Sequence, residues 1–490
     1  MSPEILPGMF SARTGPQRGC RRQPCLQALP SASLSSVKKG ITMDVTVMDM
    51  MQARDLRAMR QKELLQQYGQ TLLCFTMNIP GPVKTSSLIL EGAALGRRLL
   101  SRAFLREGIV PVYHLDTDAP TGPESFYVLP LPALQVKRMC ADIEEYSALG
   151  RLFDMDVLTP EGRKVERQEL GLPGRSCLLC SRDAQACARS RTHTVPQLQQ
   201  RTRELLQTAV REELCQTLAR LACQSLLDEV LTTPKPGLVD RANSGSHRDM
   251  DVFTFSASIS ALHPYFARCA GIGWDTAQED PAKTFSLLRG PGRLAEGLML
   301  EATDGINTHR GAIFSMGILC AAAGRLPRSR WKAEPLLSTC AAMTRGLTRR
   351  DLGDAPEGTP TFAQALYLST GNPGPRGEAE QGFPHVRDDG YPAFRRALQE
   401  GRSLNDAGCV ALLALMARNP DTNLVRRGGQ ELLARVQACS LKLLSGDFPS
   451  DMRALSAFDQ DMIRLNLSPG GSADLLSLCF MLYFLEEKSK

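Results

Sequence analysis

Residues 216–251 read QTLARLACQSLLDEVL and then TTPKPGLVDRANSGSHRDMD. The first part spaces Leu218, Leu221, Ala222, Leu226 and Val230 as one apolar face of a helix. The second part has prolines at 234 and 236, glycines at 237 and 245, and a crowd of groups suited to phosphate or metal. These are Lys235, Asp240, Arg241, Asn243, Ser244, Ser246, His247, Arg248, Asp249 and Asp251. A scaffold helix running into so polar a loop is how a protein presents chemistry to a ligand, although a solvated surface loop is the commoner use of such sequence.

Downstream, helical periodicity dominates to the C-terminus, interrupted by Gly- and Pro-rich polar loops, with no strand alternation. The region from 199 to 490 is therefore expected to be an all-α domain with loops gathered around a site. Upstream the pattern differs. Segments 71–78, 109–114, 125–131 and 151–158 read as strands, and 44–68, 87–107 and 134–147 as helices. Mixed elements over 44–198 predict an α+β domain. Residues 1–43 are rich in Pro, Ser, Gly and Arg without periodicity and lack the apolar core of a secretory signal. They read as a disordered leader, which a translation start at Met43 would also explain.

With 490 residues the chain can bury ample apolar surface, and 43% hydrophobic with 22% charged residues is ordinary for a globular protein. A net charge of +6 suits anionic small molecules or an acidic protein partner and does not by itself indicate nucleic acid. The longest uncharged apolar run, 311–324, is too short for a membrane span. Fifteen cysteines, most in apolar helical contexts, fit a reducing cytoplasm better than a disulfide scaffold.

In the first half, GRLFDMDVL at 150–158 is the sharpest signal. On a strand, Phe153, Met155 and Val157 point to the core, and Asp154 and Asp156 share the other face. Two carboxylates so placed can hold Mg²⁺ against a triphosphate, the arrangement of nucleotidyltransferases with a mixed sheet; two acids on an exposed strand face are the commoner use of an isolated Asp-x-Asp. The NIPGPVK turn offers backbone N–H groups and Lys84 for phosphate, and a plain strand-to-helix turn is equally common. The segment HLDTDAPTGPE, 114–124, reads as a stiff acidic loop. Cys177, Cys180, Cys187 and His193 have the ligand types and the short first spacing of a zinc site, with a cluster of reduced thiols as the alternative. Arg182, Arg189 and Arg191 between them make an anion surface.

In the second half four more segments repeat the polar theme. DGINTHRG (304–311) precedes an apolar helix and places Asn307 and backbone N–H groups where a helix start attracts phosphate; Asp304 suits Mg²⁺. GNPGPRGEAEQGFP (371–384) supplies Arg376 and Glu378. DTNLVRRGG (421–429) and NLSPGGSADLL (466–476) follow. Five such loops in one helical domain point to a pocket for polyphosphate and metal.

At these motifs both halves resemble known families. Residues 44–196 resemble the apo-citrate lyase phosphoribosyl-dephospho-CoA transferase family through MNIPGPVK, TGPE, GRLFDMDVL, GLPGRSCLLC and CARSRTH. Residues 200–487 resemble triphosphoribosyl-dephospho-CoA synthase through LLDEVLTTPKPGLVDRANSGSHRDMD, GINTHRGAIFSMG, RGEAEQGFP, DTNLVRRGG and NLSPGGSADLL. The leader has no counterpart in either family, and Asp304 stands where glycine is more usual.

The resemblance implies two consecutive reactions. The second half would join ATP to 3′-dephospho-CoA and release adenine. The first half would move phosphoribosyl-dephospho-CoA to a serine of the citrate lyase acyl carrier (gamma) subunit and release pyrophosphate. No nucleic-acid or membrane partner is implied. From motif position, Asp240, Asp249, Asp251 and Asp304 are candidates for general base and metal ligand. Lys235, Arg241, Arg248 and Arg310 are candidates for phosphate, with Asn243, Asn307, Arg376 and Glu378 beside them. His247 and His309 are candidates to protonate the leaving base or, equally, to donate to phosphate. Asp154 and Asp156 suit metal-assisted transfer. Two alternatives stay open: the same chemistry for malonate decarboxylase, or a zinc-dependent module that binds nucleic acid.

Overall fold

A computed structural model describes residues 44–353, 359–446 and 452–489; the expected leader lies outside them. By contact the chain divides into two compact units, one ending at Gln199 and one beginning at Gln200, apart from the short piece Ser147–Leu149 grouped with the second.

The first unit runs α1 (Val47–Tyr68), β1 (Thr71–Met77), α2 (Ser87–Arg106), β2 (Tyr113–Ala119), β3 (Gly122–Leu129), α3 (Ala133–Tyr146), β4 (Phe153–Leu158) and α4 (Ala184–Arg189). The strands form one sheet in the order β2-β3-β1-β4, so β4 is an edge strand. Every pairing is antiparallel, so the expected mixed sheet is corrected to an antiparallel one. The acidic segment 114–124 is also not a loop. It forms β2 and the turn into β3, with Tyr113, Leu115, Thr117 and Ala119 alternating with more exposed His114, Asp116 and Asp118. The apolar stretch before it drew the expected strand too early, because Pro111 has no N–H to give a ladder.

One sheet face carries Leu72, Cys74, Phe126 and Val128 against Leu64 of α1. The period-2 reading of 153–158 holds, since Phe153, Met155 and Val157 are fully buried. Asp154 and Asp156 alternate with them on the more accessible side.

Helix α5 (Val195–Leu231) carries the chain into the second unit, which is helical throughout its described residues. Its further helices are α6 (Val252–Asp275), α7 (Pro281–Ala302), α8 (Arg310–Arg325), α9 (Ala333–Thr344), α10 (Phe362–Thr370), α11 (Gly374–Glu380), α12 (Tyr391–Gln399), α13 (Leu404–Arg418), α14 (Thr422–Leu444), α15 (Met452–Arg464) and α16 (Gly470–Ser489). A single large core includes α8, α13 and α16, whose sequences are apolar on almost every side and therefore sit inside. Helices α6 and α8 approach to backbone contact. A side chain at Gly273 would lie 2.1 Å from the Ala321 carbonyl, and one at Gly324 would lie 2.2 Å from that of Ala270. No helix among the described residues is long and apolar enough to cross a membrane.

Candidate active sites

In the first unit, the register of β4 against β1 sets Asp154 opposite Thr76 and Asp156 opposite Cys74. Thr76 in turn faces Glu124 on β3. Two acids and a hydroxyl thus form a row across three strands, with Asp156 one pleat away. Arg57 of α1 pairs with Glu124, and Lys164 reaches Asp156 at 2.7 Å. Burial first, and Asp156 second, push the Asp154 carboxyl above its usual range. A same-sign pair on an edge strand, with Asp154 accessible and Asp156 bonded to Lys164 through Oδ1 alone, is a donor set that a divalent cation relieves. These residues therefore fit Mg²⁺. Lys84 donates to the Ile79 carbonyl at 2.5 Å, closing the NIPGPVK turn on itself. Burial and then Arg54 lower its pKa.

The ligand atoms of Cys177, Cys180, Cys187 and His193 lie within 4.8 Å of one another. Hydrogen bonding to His193, ahead of the other causes, lowers the Cys180 thiol to about 6.

In the second unit, all five polar segments border one cavity of about 990 Å³. It is lined by His247, Arg248 and Asp249 of the first segment, and by Asn307, His309 and Arg310 of the second. Arg376 represents the third, Asn423 and Arg427 the fourth, and Ser468 and Asp474 the fifth. Two expected loops are helix starts instead. DTNLVRRGG opens α14, with Asp421 as a cap accepting from the Asn423 and Leu424 N–H groups. GGSADLL opens α16. The N-termini of α8, α14 and α16 therefore border the cavity with N–H groups and dipoles that favour anions. Seven arginines line it, among them Arg289 and Arg293 of α7, which the sequence reading passed over.

The floor is buried and charged. Lys235 is 1% exposed and pairs with Glu229, 4% exposed, at 2.5 Å. Burial raises the Glu229 pKa and the lysine holds it down. Asp474 is partly buried in the cavity wall, and burial, then Glu229 and Asp421, push its carboxyl well above the usual range. It accepts a hydrogen bond from the Ala312 N–H in the first turn of α8. Its approach requires Gly311, where a side chain would lie 1.9 Å from the Asp474 Oδ2. His309 meets Ser258 through Nδ1 at 2.7 Å, while its buried Nε2 has no hydrogen-bond partner. Burial, aided by Lys235, lowers its pKa to about 3, so the ring is neutral near pH 7. His247 bonds Ser468 at 3.0 Å, and burial and Arg427 lower its pKa too.

Several expected residues do not line this cavity. Asp240 accepts from the N–H groups of Lys235, Ala242 and Asn243, so its oxygens fold the loop. Arg241 is bound to Thr233 and Asn405, and Asn243 to Asp459 and Gly245. Asp251 caps α6 through Thr254. Asp304 is exposed in a left-handed turn, φ 52°. Glu378 pairs with His385. The acids that do line the cavity are Glu229, Asp249, Glu296, Asp351 and Asp474. Glu296 pairs with Arg310, and Asp351 with Arg289 and Arg376.

Comparison with known proteins agrees with this division. Residues 45–209 match the family model for apo-citrate lyase phosphoribosyl-dephospho-CoA transferase. Residues 215–490 match that for ATP:dephospho-CoA triphosphoribosyl transferase. Protein CitXG of Haemophilus influenzae is 36% identical over 445 residues, covering 88% of this chain and 94% of that one. Protein CitXG of Leuconostoc mesenteroides is 32% identical over 455 residues, covering 89% and 97%. The 2-(5''-triphosphoribosyl)-3'-dephosphocoenzyme-A synthase of Pectobacterium atrosepticum is 46% identical over 261 residues, covering 53% of this chain and 86% of its own. The chain thus belongs to the family of fused proteins in which an apo-citrate lyase phosphoribosyl-dephospho-CoA transferase precedes an ATP:dephospho-CoA triphosphoribosyl transferase.

Proposed function

We propose that the second unit builds the citrate lyase prosthetic group from ATP and 3′-dephospho-CoA, and that the first attaches it to the acyl carrier subunit in the cytoplasm. The observation that carries this reading is the one cavity where seven arginines and three helix N-termini surround Asp474 and buried, neutral His309. A triphosphate needs the cations, and sugar transfer needs a sheltered carboxyl.

In the first reaction the 2′-hydroxyl of dephospho-CoA attacks the ribose carbon that bears adenine. The O–C bond forms as the C–N bond breaks, through an oxocarbenium-like state. Asp474 is the carboxylate we assign to receive the hydroxyl proton, because it lines the cavity beside the start of α8, among the cationic side chains that would hold the triphosphate. Asp249 is the second acid at the rim. Arg248, Arg310, Arg376 and Arg427 hold the phosphates. His309, neutral and with Nε2 free, suits a hydrogen bond to the leaving purine rather than a store of charge. His247 is the other imidazole on this wall, and adenine leaves with a proton.

In the second reaction the carrier serine oxygen attacks the phosphorus next to the ribose, and pyrophosphate leaves. Asp154 and Asp156 would hold Mg²⁺, which when bound offsets the charge of the triphosphate and its leaving group. Lys164 and Arg57 keep Asp156 and Glu124 in fixed positions. The edge strand carrying Asp-x-Asp supports a nucleotidyltransferase-like reading of this unit. The matching family model favours citrate lyase over malonate decarboxylase as the client.

The test is incubation of the purified protein with ATP, dephospho-CoA and apo-carrier, followed by intact mass of the carrier. The carrier gains the prosthetic group only when ATP is present, and free adenine appears in equal amount. An unmodified carrier and no adenine, with divalent metal in excess, would sink the proposal.

A further inference from the structure

We infer that Cys177, Cys180, Cys187 and His193 bind one zinc ion in a closed structural site, which fastens the Arg175 loop against the strand carrying Asp154. The inference deepens the reading of the first unit as the attachment site and rests on it for its functional part alone.

Geometry comes first. The four ligands follow the spacing C-x2-C-x6-C-x5-H. Cys180 Sγ lies 3.5 Å from Cys187 Sγ and 3.4 Å from His193 Nε2. In a tetrahedral zinc site, metal–ligand distances of about 2.3 Å to sulfur and about 2.0 Å to nitrogen put neighbouring ligands about 3.5–3.8 Å apart. A disulfide would need the sulfurs at about 2.05 Å. The backbone is arranged for a compact knuckle: Ser176 bridges Asp183, and the Cys177 N–H donates to the Arg182 carbonyl at 2.6 Å. Three thiolates and an imidazole fill all four positions, leaving none open for substrate.

Packing supplies the second, independent argument. Between Gly171 and Thr194 the only buried residues are Cys177 and Cys187, two of the ligands themselves. A segment of this length with no other buried side chain has too little core to hold its shape. Metal binding supplies that free energy in small folds of this kind. Arg182, Arg189 and Arg191 offset the negative charge that three thiolates leave on a zinc centre.

The knuckle is tied to the acid strand on both sides. Arg151 donates to the carbonyls of Ser176 and Cys177 at 2.6 and 2.7 Å. Arg175 donates to the Phe153 carbonyl at 2.7 Å and to that of Gly150 at 3.3 Å. It also pairs with Glu144, whose Oε1 accepts from the Met155 N–H at 3.1 Å. The peptide groups flanking Asp154 are thus held by a side chain whose own backbone is held by the knuckle. Arg175 is a positioning residue.

The experiment uses the full chain, with metal content measured by mass spectrometry and cobalt substitution followed by absorption. The wild type should carry about one zinc per chain. Its cobalt form should show thiolate charge-transfer and intense tetrahedral d–d bands. Cys180→Ser and His193→Ala should lose the metal and slow carrier modification at least about tenfold, while adenine release in the second unit stays at the wild-type rate. Arg175→Ala should keep the zinc and still slow carrier modification. Wild-type protein purified without zinc, with reactive thiols that gain no cobalt spectrum, overturns the site. Full carrier modification by a zinc-free variant or by Arg175→Ala overturns the clamp. Zinc present in a wild type that cannot modify carrier refutes the attachment reading and leaves the metal site standing.

Discussion

In the first unit Asp154 and Asp156 stand on an edge strand, backed by an apolar sheet face and reachable from outside. In the second, Glu229 is buried beneath a cavity that Asp474 lines, and its charge helps to raise the Asp474 carboxyl. The contrast follows the chemistry each unit is asked to do. On the reading proposed above, a metal-held triphosphate and a protein hydroxyl would reach the strand together, which suits acids that share an accessible face. On that same reading, a sugar carbon about to become cationic must be kept from water, so the acid there sits inside a cavity.

The strongest way to break this comparison is to remove one acid from each unit. Asp154→Asn should slow carrier modification by about 10³-fold or more, with adenine release unchanged. Asp474→Asn should do the reverse, and preformed triphosphoribosyl-dephospho-CoA should then restore carrier modification. Equal damage to both reactions by either variant would show that the two sites are not separate.

The buried pair sharpens it next. Replacing Lys235 by Met leaves Glu229 enclosed without its cation, which should cost about 3–5 kcal/mol. Both tryptophans, Trp274 and Trp331, lie in the second unit, so denaturant unfolding followed by their fluorescence reads that unit alone. The double change Lys235→Met with Glu229→Gln should recover part of the loss. A single variant as stable as wild type would mean that the pair is not buried as a pair.

How far the sequence could show this differs between the units. On β4 the period of two told which residues face the core, because a strand has only two faces and Phe153, Met155 and Val157 claim one. In residues 232–251 the density of polar groups was legible but their directions were not. Asp240 and His247 look alike as candidates in sequence. The first turns inward to three backbone N–H groups and the second faces the cavity. Arg289 and Arg293 were passed over for another reason: the polar face of an amphipathic helix reads as solvated until something packs beside it. The clustering of Cys177, Cys180, Cys187 and His193 was legible by spacing, whereas the straps from Arg151 and Arg175 depend on tertiary contact.

Gly311 tests the second unit's tight geometry with a smaller effect. A methyl group there would meet the Asp474 carboxyl at 1.9 Å, so Gly311→Ala must displace the acid or the start of α8. A shift near 1 Å in a reacting group costs about 10²-fold, and the expected loss in adenine release is of that order. Carrier modification with supplied intermediate should be unaffected. Normal adenine release by this variant would remove Asp474 from the reaction.

The gentlest test uses pH. The folded His309 pKa sits at about 3 against an ordinary value of 6.5. Between those limits the unfolded chain takes up a proton at this position that the folded chain refuses, so stability falls as pH falls. The loss approaches about 1.4 kcal/mol for each unit of pH below 6.5. Asp474 and Glu229, whose folded pKa values burial raises, act with the opposite sign because the folded state favours their protons. Comparing wild type with His309→Gln, where those carboxyls are common to both, isolates the imidazole. Tryptophan-detected unfolding at pH 7 and pH 5 should show the wild type losing more stability than the variant on acidification. Equal losses would mean that His309 is hydrated and titrates normally. The second unit's floor would then be as open to water as the strand of the first, and the contrast between the two sites would reduce to their choice of ligands.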